Sequence, residues 1–134
     1  MSDKLKILFV SPEVSPFIKT GGLADVAGAL PRELKKKGHD VRVVLPEYKK
    51  IPDRFVMDFQ HVTDFRMKMV WRDKYVGVNK LVYKDVPTYF IDNKYYFFRE
   101  SLYENGDKGE QYAFFSGAVL EMLNKIDFKP DIIH

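Results

Sequence analysis

The residues with the clearest chemical potential lie near the amino terminus, in the run Lys19-Thr20-Gly21-Gly22-Leu23. Lysine supplies a full positive charge, and glycine lets the backbone approach a ligand closely. The run directly precedes a predicted helix, whose first turn exposes N–H groups that bind anions. These properties predict an anion site, with phosphate as the obvious ligand. Neither the Walker spacing nor the Gly-x-Gly-x-x-Gly pattern is matched, and two glycines before a helix are also typical of a simple turn.

The predicted elements around this run place it at one edge of a sheet. Residues 5–10 form a short apolar run that ends at Ser11-Pro12, as expected of a strand buried on both faces. Ligands of parallel sheets bind outside the carboxyl ends of the strands, and the loop over residues 11–22 leaves that end. The loop is about twice as long as a usual connection of roughly two to six residues, which favours a functional role.

An amphipathic helix follows this loop. Apolar residues recur every three or four positions from Leu23 to Leu34, and Gly38 ends the pattern. We expect a kink at Pro31, because proline removes one backbone donor. Residues 41–45 are another apolar run, closed by Pro46. Strand, helix and strand in succession predict a βαβ unit with a right-handed crossover.

The second half of the chain combines an antiparallel region with a return to the parallel sheet. Between residues 54 and 98 apolar residues alternate, with Arg72-Asp73-Lys74 as the expected turn, which predicts an inserted region of antiparallel hairpins. Residues 86–91 form a further buried strand. A second helix is marked by five apolar residues at helical spacing, Tyr112, Phe115, Val119, Met122 and Ile126. Residues 130–134 open one more parallel strand. Because such strands need cover on both faces, we expect the chain to be a fragment of a longer protein.

Length and composition bound the class of protein. The chain has 134 residues, 46% of them hydrophobic, and no cysteine, which predicts a single domain over residues 1–134 whose core needs no disulfides. The net charge is only +3 with both signs interspersed, so nucleic acid is not an expected partner. No apolar run approaches the roughly 20 residues that span a bilayer, and no secretory leader is recognised. We therefore expect a cytoplasmic protein without a membrane partner.

Four segments give the sequence its resemblance to a known family. They are Ser11-Pro12-Glu13, residues 19–26 (Lys-Thr-Gly-Gly-Leu-Ala-Asp-Val), Ala29-Leu30-Pro31 and residues 38–46. Together they resemble the start of bacterial glycogen synthases and plant starch synthases, most densely over residues 7–48. Looser similarity returns at residues 111–121 and at residues 131–134, where the family has the lead-in to a His-x-x-Asp-Trp segment.

The resemblance implies an α/β fold and a specific activity. The chain would be the incomplete N-terminal domain of a two-domain, GT-B type glycosyltransferase, in which two Rossmann-like domains enclose a cleft. Such enzymes transfer glucose, with retention of configuration, from ADP-glucose to the 4-hydroxyl at the non-reducing end of an α-1,4-glucan. The implied partners are ADP-glucose, an α-1,4-glucan such as glycogen, and the C-terminal domain. No metal and no other cofactor is implied, because ADP-glucose is a substrate.

The same resemblance assigns site residues by motif. One group is expected to bind the donor phosphates and consists of Lys19, Gly21 and Gly22. A second group is expected on the sugar side of the cleft and consists of Glu13, Asp25, Tyr103 and His134. In this family the second domain holds most nucleotide contacts and the acidic and basic groups that face the donor sugar. We therefore expect no catalytic residue in this chain and no activity from these 134 residues alone.

Two other interpretations of the function stay open. One is a non-catalytic Rossmann-like module that binds glucan or a protein partner. The other is a different sugar-nucleotide transferase of the same architecture, because the base and ribose contacts that separate ADP-glucose from UDP-glucose are expected in the second domain. Continuation of the coding region past His134 into Asp-Trp and a second domain would favour the enzyme. A stop at that point would favour the module.

Other polar and aromatic groups have ordinary structural explanations. Lys35-Lys36-Lys37 could form a phosphate or glucan patch, but the macrodipole favours lysines at the end of a helix. Asp107 and Glu110 are expected to cap the second helix rather than to act as paired carboxylates. Tyr95-Tyr96-Phe97-Phe98 could stack on sugar rings, but packing in the core is the stronger expectation.

Overall fold

A six-stranded mixed sheet lies at the centre of the computed structural model, which describes residues 3–103 and 105–134. The elements in chain order are β1 (Lys6–Val10), α1 (Gly22–Lys36), β2 (Asp40–Pro46), α2 (Asp53–Val56), β3 (Gln60–Met69), β4 (Arg72–Tyr83), β5 (Val86–Asp92), α3 (Lys94–Phe97), α4 (Lys108–Lys125) and β6 (Ile132–Ile133). The strand order is β3-β4-β5-β2-β1-β6. Strands β5, β2, β1 and β6 are parallel, and β3 and β4 form an antiparallel hairpin beside β5. The predicted α/β class with an antiparallel hairpin region is confirmed.

The parallel strands β1, β2 and β5 contribute apolar residues to the core, whereas both residues of β6 are exposed. Residues 7–9 of β1 and residues 43–45 of β2 are buried, and the two strands pair in register from Lys6 with Asp40 to Val10 with Val44. Helix α1 packs mainly against β2, and α4 packs against β3 and β5. Within the described ranges no helix combines the length and apolar character needed to cross a bilayer.

Helix α1 continues through Pro31 without a break, and Pro31 is buried. The kink that we expect at this residue stays a prediction. The helix ends as predicted, because Gly38 follows it with a φ of 98° and donates its N–H to the carbonyl of Lys35 at 2.9 Å. Glycine is the usual residue for this left-handed position after a helix.

The predicted turn at Arg72-Asp73-Lys74 is wrong. Met69 pairs directly with Arg72, so Val70 and Trp71 form the turn and residues 72–74 begin β4. Val70 has a φ of 61°, a conformation for which two-residue hairpin loops favour glycine. The alternation expected from Phe55 is also interrupted, because Phe55 lies in α2, where its ring contacts those of Phe17 and Tyr83.

The predicted capping of α4 by Asp107 and Glu110 is wrong. Asp107 occupies the N-cap position, but its side chain makes no capping hydrogen bond. Instead it accepts two hydrogen bonds from Arg99, at 2.6 and 2.9 Å. This bidentate pair is stronger than a neutral cap, and the hydrogen bond from Arg99 lowers the pKa of Asp107. Glu110 accepts a hydrogen bond from the hydroxyl of Tyr96 at 2.5 Å.

The aromatic run over residues 95–98 divides between core and surface. Tyr96 and Phe97 are buried, as predicted, whereas Tyr95 and Phe98 are exposed. Residues 95–97 lie in α3 and Phe98 follows it as the C-cap, so the side chains point in different directions around one helical turn. The expectation of core packing is therefore confirmed for two residues and wrong for the other two.

Candidate functional site

The loop between β1 and α1 is held in place by the core of the protein. Phe17 in the middle of this loop is 2% exposed. Its ring lies edge-on to those of Phe55, Tyr83 and Phe90, with centroids 4.9, 5.3 and 5.1 Å away. Edge-to-face pairs of this kind add to the stabilisation from burial. The loop therefore has a fixed position at the carboxyl end of β1.

Helix α1 fixes the same loop through a backbone contact. The N–H of Ser15 donates to the carbonyl of Ala24 at 2.9 Å. One turn further along α1, a Cβ atom at Gly28 would lie 2.5 Å from the carbonyl oxygen of Ser15. Real Cβ atoms do not come this close to a backbone atom. Glycine at position 28 is thus what allows the loop and α1 to pack together.

Glu13 ties this loop together from within. It is 5% exposed, and one carboxylate oxygen accepts the N–H of Thr20 at 2.7 Å. The other oxygen accepts the hydroxyl of Thr20 and the hydroxyl of Tyr103, both at 2.5 Å. Glu13 and Tyr103, both expected on the sugar side of a cleft, are therefore bonded to one another. The Glu13 carboxylate holds the Lys19-Thr20 segment and the Tyr103 segment side by side.

The hydrogen bonds to Glu13 keep it ionised. Burial alone would raise the pKa of this carboxyl, but hydrogen bonds from Thr20, Tyr103 and the backbone N–H of Gly21 lower it by more, so the net pKa is below 4.5. Burial and the hydrogen bond to Glu13 raise the pKa of Tyr103. The pair is therefore an ionised carboxylate that accepts a hydrogen bond from a neutral phenol.

We expect Glu13→Gln to lower the free energy of unfolding by about 1–3 kcal/mol at pH 7, because charge-assisted hydrogen bonds are lost. The effect should depend on pH. A carboxyl whose pKa is lowered by folding contributes its full stabilisation above the pKa of the unfolded chain and loses it as pH falls through the folded value.

Urea unfolding of both proteins between neutral pH and about pH 3 measures this dependence. The difference in free energy of unfolding between wild type and Glu13→Gln should shrink below about pH 4.5, near the ordinary pKa of glutamate. The pKa of Asp107 is also lowered by folding, but its effect on the free energy of unfolding is the same in both proteins and cancels in the difference. A difference that stays constant over the whole range would contradict the ionised state of Glu13.

Lys19 and Asp25, two residues predicted for different parts of the site, form an ion pair at 2.9 Å. The two side chains are 54% and 53% exposed, and exposed pairs are worth only about 0.2–1 kcal/mol. The ammonium group is therefore free to leave Asp25 for a better anionic partner, such as a phosphate.

Gly21 and Gly22 leave the start of α1 open. A Cβ atom at either position would have no neighbour within 4 Å, and Gly21 has a φ of −167°, which is ordinary extended backbone. The backbone at Gly21 therefore does not require a glycine, as a tight turn with a positive φ would. Gly21 occupies the N-cap position and provides no side-chain acceptor, so N–H groups of the first turn are available to a ligand.

A cavity of about 380 Å³ lies beside these groups. It is lined by Thr20, Lys50, Glu100, Ser101, Leu102 and Tyr103. Lys50 and Glu100 were not predicted as site residues. The position of Lys50 could have indicated it, because it follows β2 on the same edge of the sheet as Lys19. Glu100 lies in an irregular segment with no recognisable motif.

His134 lies on the other side of β1. Its N–H donates to the carbonyl of Leu8 and its carbonyl accepts the N–H of Val10, both at 2.9 Å. The imidazole ring lies edge-on to Phe9, with centroids 4.9 Å apart. His134 therefore lies at the predicted sheet edge, but no contact joins its side chain to Glu13, Lys19 or Tyr103 among the described residues.

The predicted site residues thus form two contacting pairs, Lys19 with Asp25 and Glu13 with Tyr103, joined by the backbone of residues 19–22. Together with the open helix start they can bind an anion next to a pocket lined by three hydroxyl groups, one carboxylate and one ammonium group. Within the described ranges no three His, Asp or Glu side chains form a metal-ligand group. The expectation that no metal or other cofactor binds stays a prediction.

Comparisons with known proteins give a consistent result. A family model described as the starch synthase catalytic domain matches residues 6–134. The glycogen synthase of Desulforamulus reducens is 52% identical and that of Anoxybacillus flavithermus is 49% identical, each over 130 residues. The catalytic domain of starch synthase IV from Arabidopsis thaliana superposes with a TM-score of 0.89 at 29% identity.

These matches cover nearly all of this chain but only part of each relative. The alignments cover 97% of this chain but 27% of each glycogen synthase. The structural match covers 98% of this chain and 28% of the plant protein. The chain thus spans about a quarter of the length of its relatives. Because the family model matches nearly the whole sequence, the chain belongs to the starch synthase catalytic domain family.

Proposed function

We propose that this chain forms the N-terminal part of a glycogen (starch) synthase. In that protein it contributes one wall of a cleft in which glucose passes from ADP-glucose to the non-reducing 4-hydroxyl of an α-1,4-glucan, with retention of configuration. The partners of the chain are then ADP-glucose, the glucan and a second domain of the same protein.

One observation carries the proposal most directly. An exposed ammonium group, Lys19, lies next to the open first turn of α1 at the carboxyl end of a parallel strand. This is the place and the charge that a sugar-nucleotide diphosphate requires. The structure of the plant starch synthase was determined with ADP and acarbose bound, which supports a diphosphate ligand for the same fold.

Each predicted residue receives a role from its contacts. Lys19 and the open first turn of α1 at Gly22 bind the diphosphate, and Gly21 leaves room for its close approach because it has no side chain. Asp25 holds Lys19 in the absence of donor. Glu13 acts as a positioning residue, because its carboxylate is occupied by Thr20 and Tyr103. Tyr103 closes one side of the cavity beside Thr20, where the sugar or the acceptor can bind. His134 belongs to the same edge of the sheet but on the far side of β1.

A chimera tests this proposal. This chain replaces the matching segment of the Desulforamulus reducens glycogen synthase, and transfer of labelled glucose from ADP-glucose to glycogen is measured. We expect the chimera to retain transfer with retained configuration and the 134-residue chain alone to show none. A folded chimera that binds glycogen but transfers nothing from ADP-glucose would overturn the enzyme proposal and favour the glucan-binding module. Transfer by the chain alone would overturn the need for a second domain.

A further inference from the structure

We propose that the chain carries a second anion site, separate from Lys19, in a groove between the end of α1 and the turn that joins β4 to β5. Four cations and one carboxylate line a cavity of about 550 Å³ there: Arg32, Lys35, Lys36, Lys84 and Asp85. We call these five residues the basic groove. Its ligand is a small phosphorylated molecule, a sugar phosphate or a short polyphosphate.

The charge of the basic groove is concentrated and weakly compensated. Lys36 pairs with Glu33 at 3.3 Å, but the other three cations have no ion-pair partner among the described residues. The groove alone has a formal charge of +3, equal to that of the entire chain. The carbonyl groups at the end of α1 contribute only about half a negative charge. The groove therefore attracts anions more strongly than the rest of the surface.

Position 84 of the turn beside the groove carries a residue that its backbone conformation disfavours. Tyr83 pairs with Val86, so Lys84 and Asp85 are the two central residues of the turn. Their φ values are 48° and 69°, a left-handed conformation that aspartate tolerates and that strains lysine. The fold itself thus gains nothing from a lysine at position 84. A role for its ammonium group in binding explains why it is placed there.

The size of the groove narrows the class of ligand. A cavity of about 550 Å³ is larger than a single inorganic phosphate needs, and a neighbouring cavity of about 370 Å³ shares Arg32 and Lys84 with it. This second cavity extends to Ser15 and Asp25. Asp25 repels an anion in the second cavity, so phosphate groups should bind in the first, where four cations outweigh the single carboxylate of Asp85. An uncharged part of the ligand fits the end near Ser15.

Calorimetric titration of the 134-residue chain tests the site directly, with inorganic tripolyphosphate and glucose 6-phosphate as probes and glucose as the uncharged control. We expect saturable binding of at least one phosphorylated probe and none of glucose. The affinity should fall as salt is raised, because salt screens exposed charges. The tighter of the two probes then tells whether the ligand is a sugar phosphate or a polyphosphate. Absence of saturable binding by both probes would overturn the proposal.

Two variants locate the binding. Lys84→Asn removes the ammonium group and places a residue that tolerates left-handed backbone in the turn. It should raise the melting temperature and weaken binding about tenfold or more, the usual effect of losing a hydrogen bond to a charged group. Arg32→Gln should weaken binding to a similar extent.

Two controls separate this site from its surroundings. Lys37→Gln removes a lysine of the same run that does not line the groove, and binding should change less than twofold. An equal loss in Lys37→Gln and Lys84→Asn would mean diffuse attraction and would overturn the site. Lys19→Ala removes the cation proposed for the donor diphosphate, so the binding that remains in this variant belongs to the groove, and we expect saturable binding of a phosphorylated probe to remain. Loss of binding in Lys19→Ala would place the anion at the loop of residues 11–22 and likewise overturn it. Neither control depends on glucose transfer, so this test is independent of the proposed function.

Discussion

Replacing Lys19 with alanine in the chimera should lower kcat about a hundredfold to thousandfold, or about 2.7–4 kcal/mol, the usual loss when one preorganised electrostatic group is removed. The nucleoside diphosphate gains negative charge as its bond to glucose breaks. A fixed ammonium group stabilises that charge more in the transition state than in the ground state. The effect should therefore fall mainly on turnover, with a smaller change in KM for ADP-glucose.

Steady-state kinetics with ADP-glucose and glycogen measures this effect. Lys19 is half exposed and its ion pair with Asp25 is weak, so Lys19→Ala should unfold at the temperature of the unmodified chimera. Lys37→Ala removes an exposed cation from the end of α1, away from the loop, and should leave kcat unchanged. An unaltered kcat in Lys19→Ala would contradict the assignment of the donor phosphates to this loop.

Replacing Phe17 with alanine should lower the free energy of unfolding by about 3–5 kcal/mol, the range for a large aromatic side chain removed from a core. The ring of Phe17 contacts three other aromatic rings, from α2, β4 and β5. Those three elements cannot all move into the space that alanine leaves. The loss includes both the contacts of the ring and a residual cavity.

Urea unfolding of the 134-residue chain measures the loss, and Phe98→Ala is the matched control. Phe98 is 51% exposed and lies 5.0 Å from the ammonium group of Lys94, so its removal should cost less than about 1 kcal/mol. Should Phe17→Ala fail to fold, Phe17→Leu retains much of the volume and should cost about 1.5 kcal/mol. Equal effects at Phe17 and Phe98 would contradict the role of Phe17 in holding the loop.

The parallel half of the fold could be predicted because its pattern is local. Strands β1, β2 and β5 are mainly apolar runs with turn-forming residues nearby, and α1 has apolar residues at helical spacing before Gly38. A strand buried on both faces leaves little freedom in its sequence. This is why the bounds expected for these elements agree closely with the structure.

The errors in the antiparallel half arose where tertiary contacts outweigh local preference. The charged residues Arg72-Asp73-Lys74 are a common turn composition, but the strand register forces the turn onto Val70-Trp71. Asp107 has the composition of a helix cap, yet Arg99 binds its carboxylate. Both contacts are local in sequence, since Met69 pairs with Arg72 and Arg99 lies eight residues before Asp107, but neither follows a periodic pattern. The exact hairpin register and the side-chain pairing therefore require the three-dimensional structure.

The candidate site was predicted by residue type but not by pairing. The positions of Lys19, Gly21 and Gly22 at the carboxyl end of β1 follow from sheet topology alone. The hydrogen bond from Tyr103 to Glu13 joins residues 90 positions apart, and no pattern in the sequence connects them. Glu13 was expected to face a sugar, whereas its carboxylate is occupied by the protein itself. Its expected place near the cleft stays a prediction.

The contact between Gly28 and the carbonyl of Ser15 limits how this protein can be redesigned. Because the crowding involves main-chain atoms, no neighbouring mutation can make room for a larger residue at position 28. A mutant library aimed at new donor specificity can therefore vary cavity-lining positions such as Lys50 and Glu100, while codon 28 and the Lys19-Thr20 pair are kept fixed. Any scaffold that borrows this loop for another phosphorylated substrate must import the facing turn of α1 together with it.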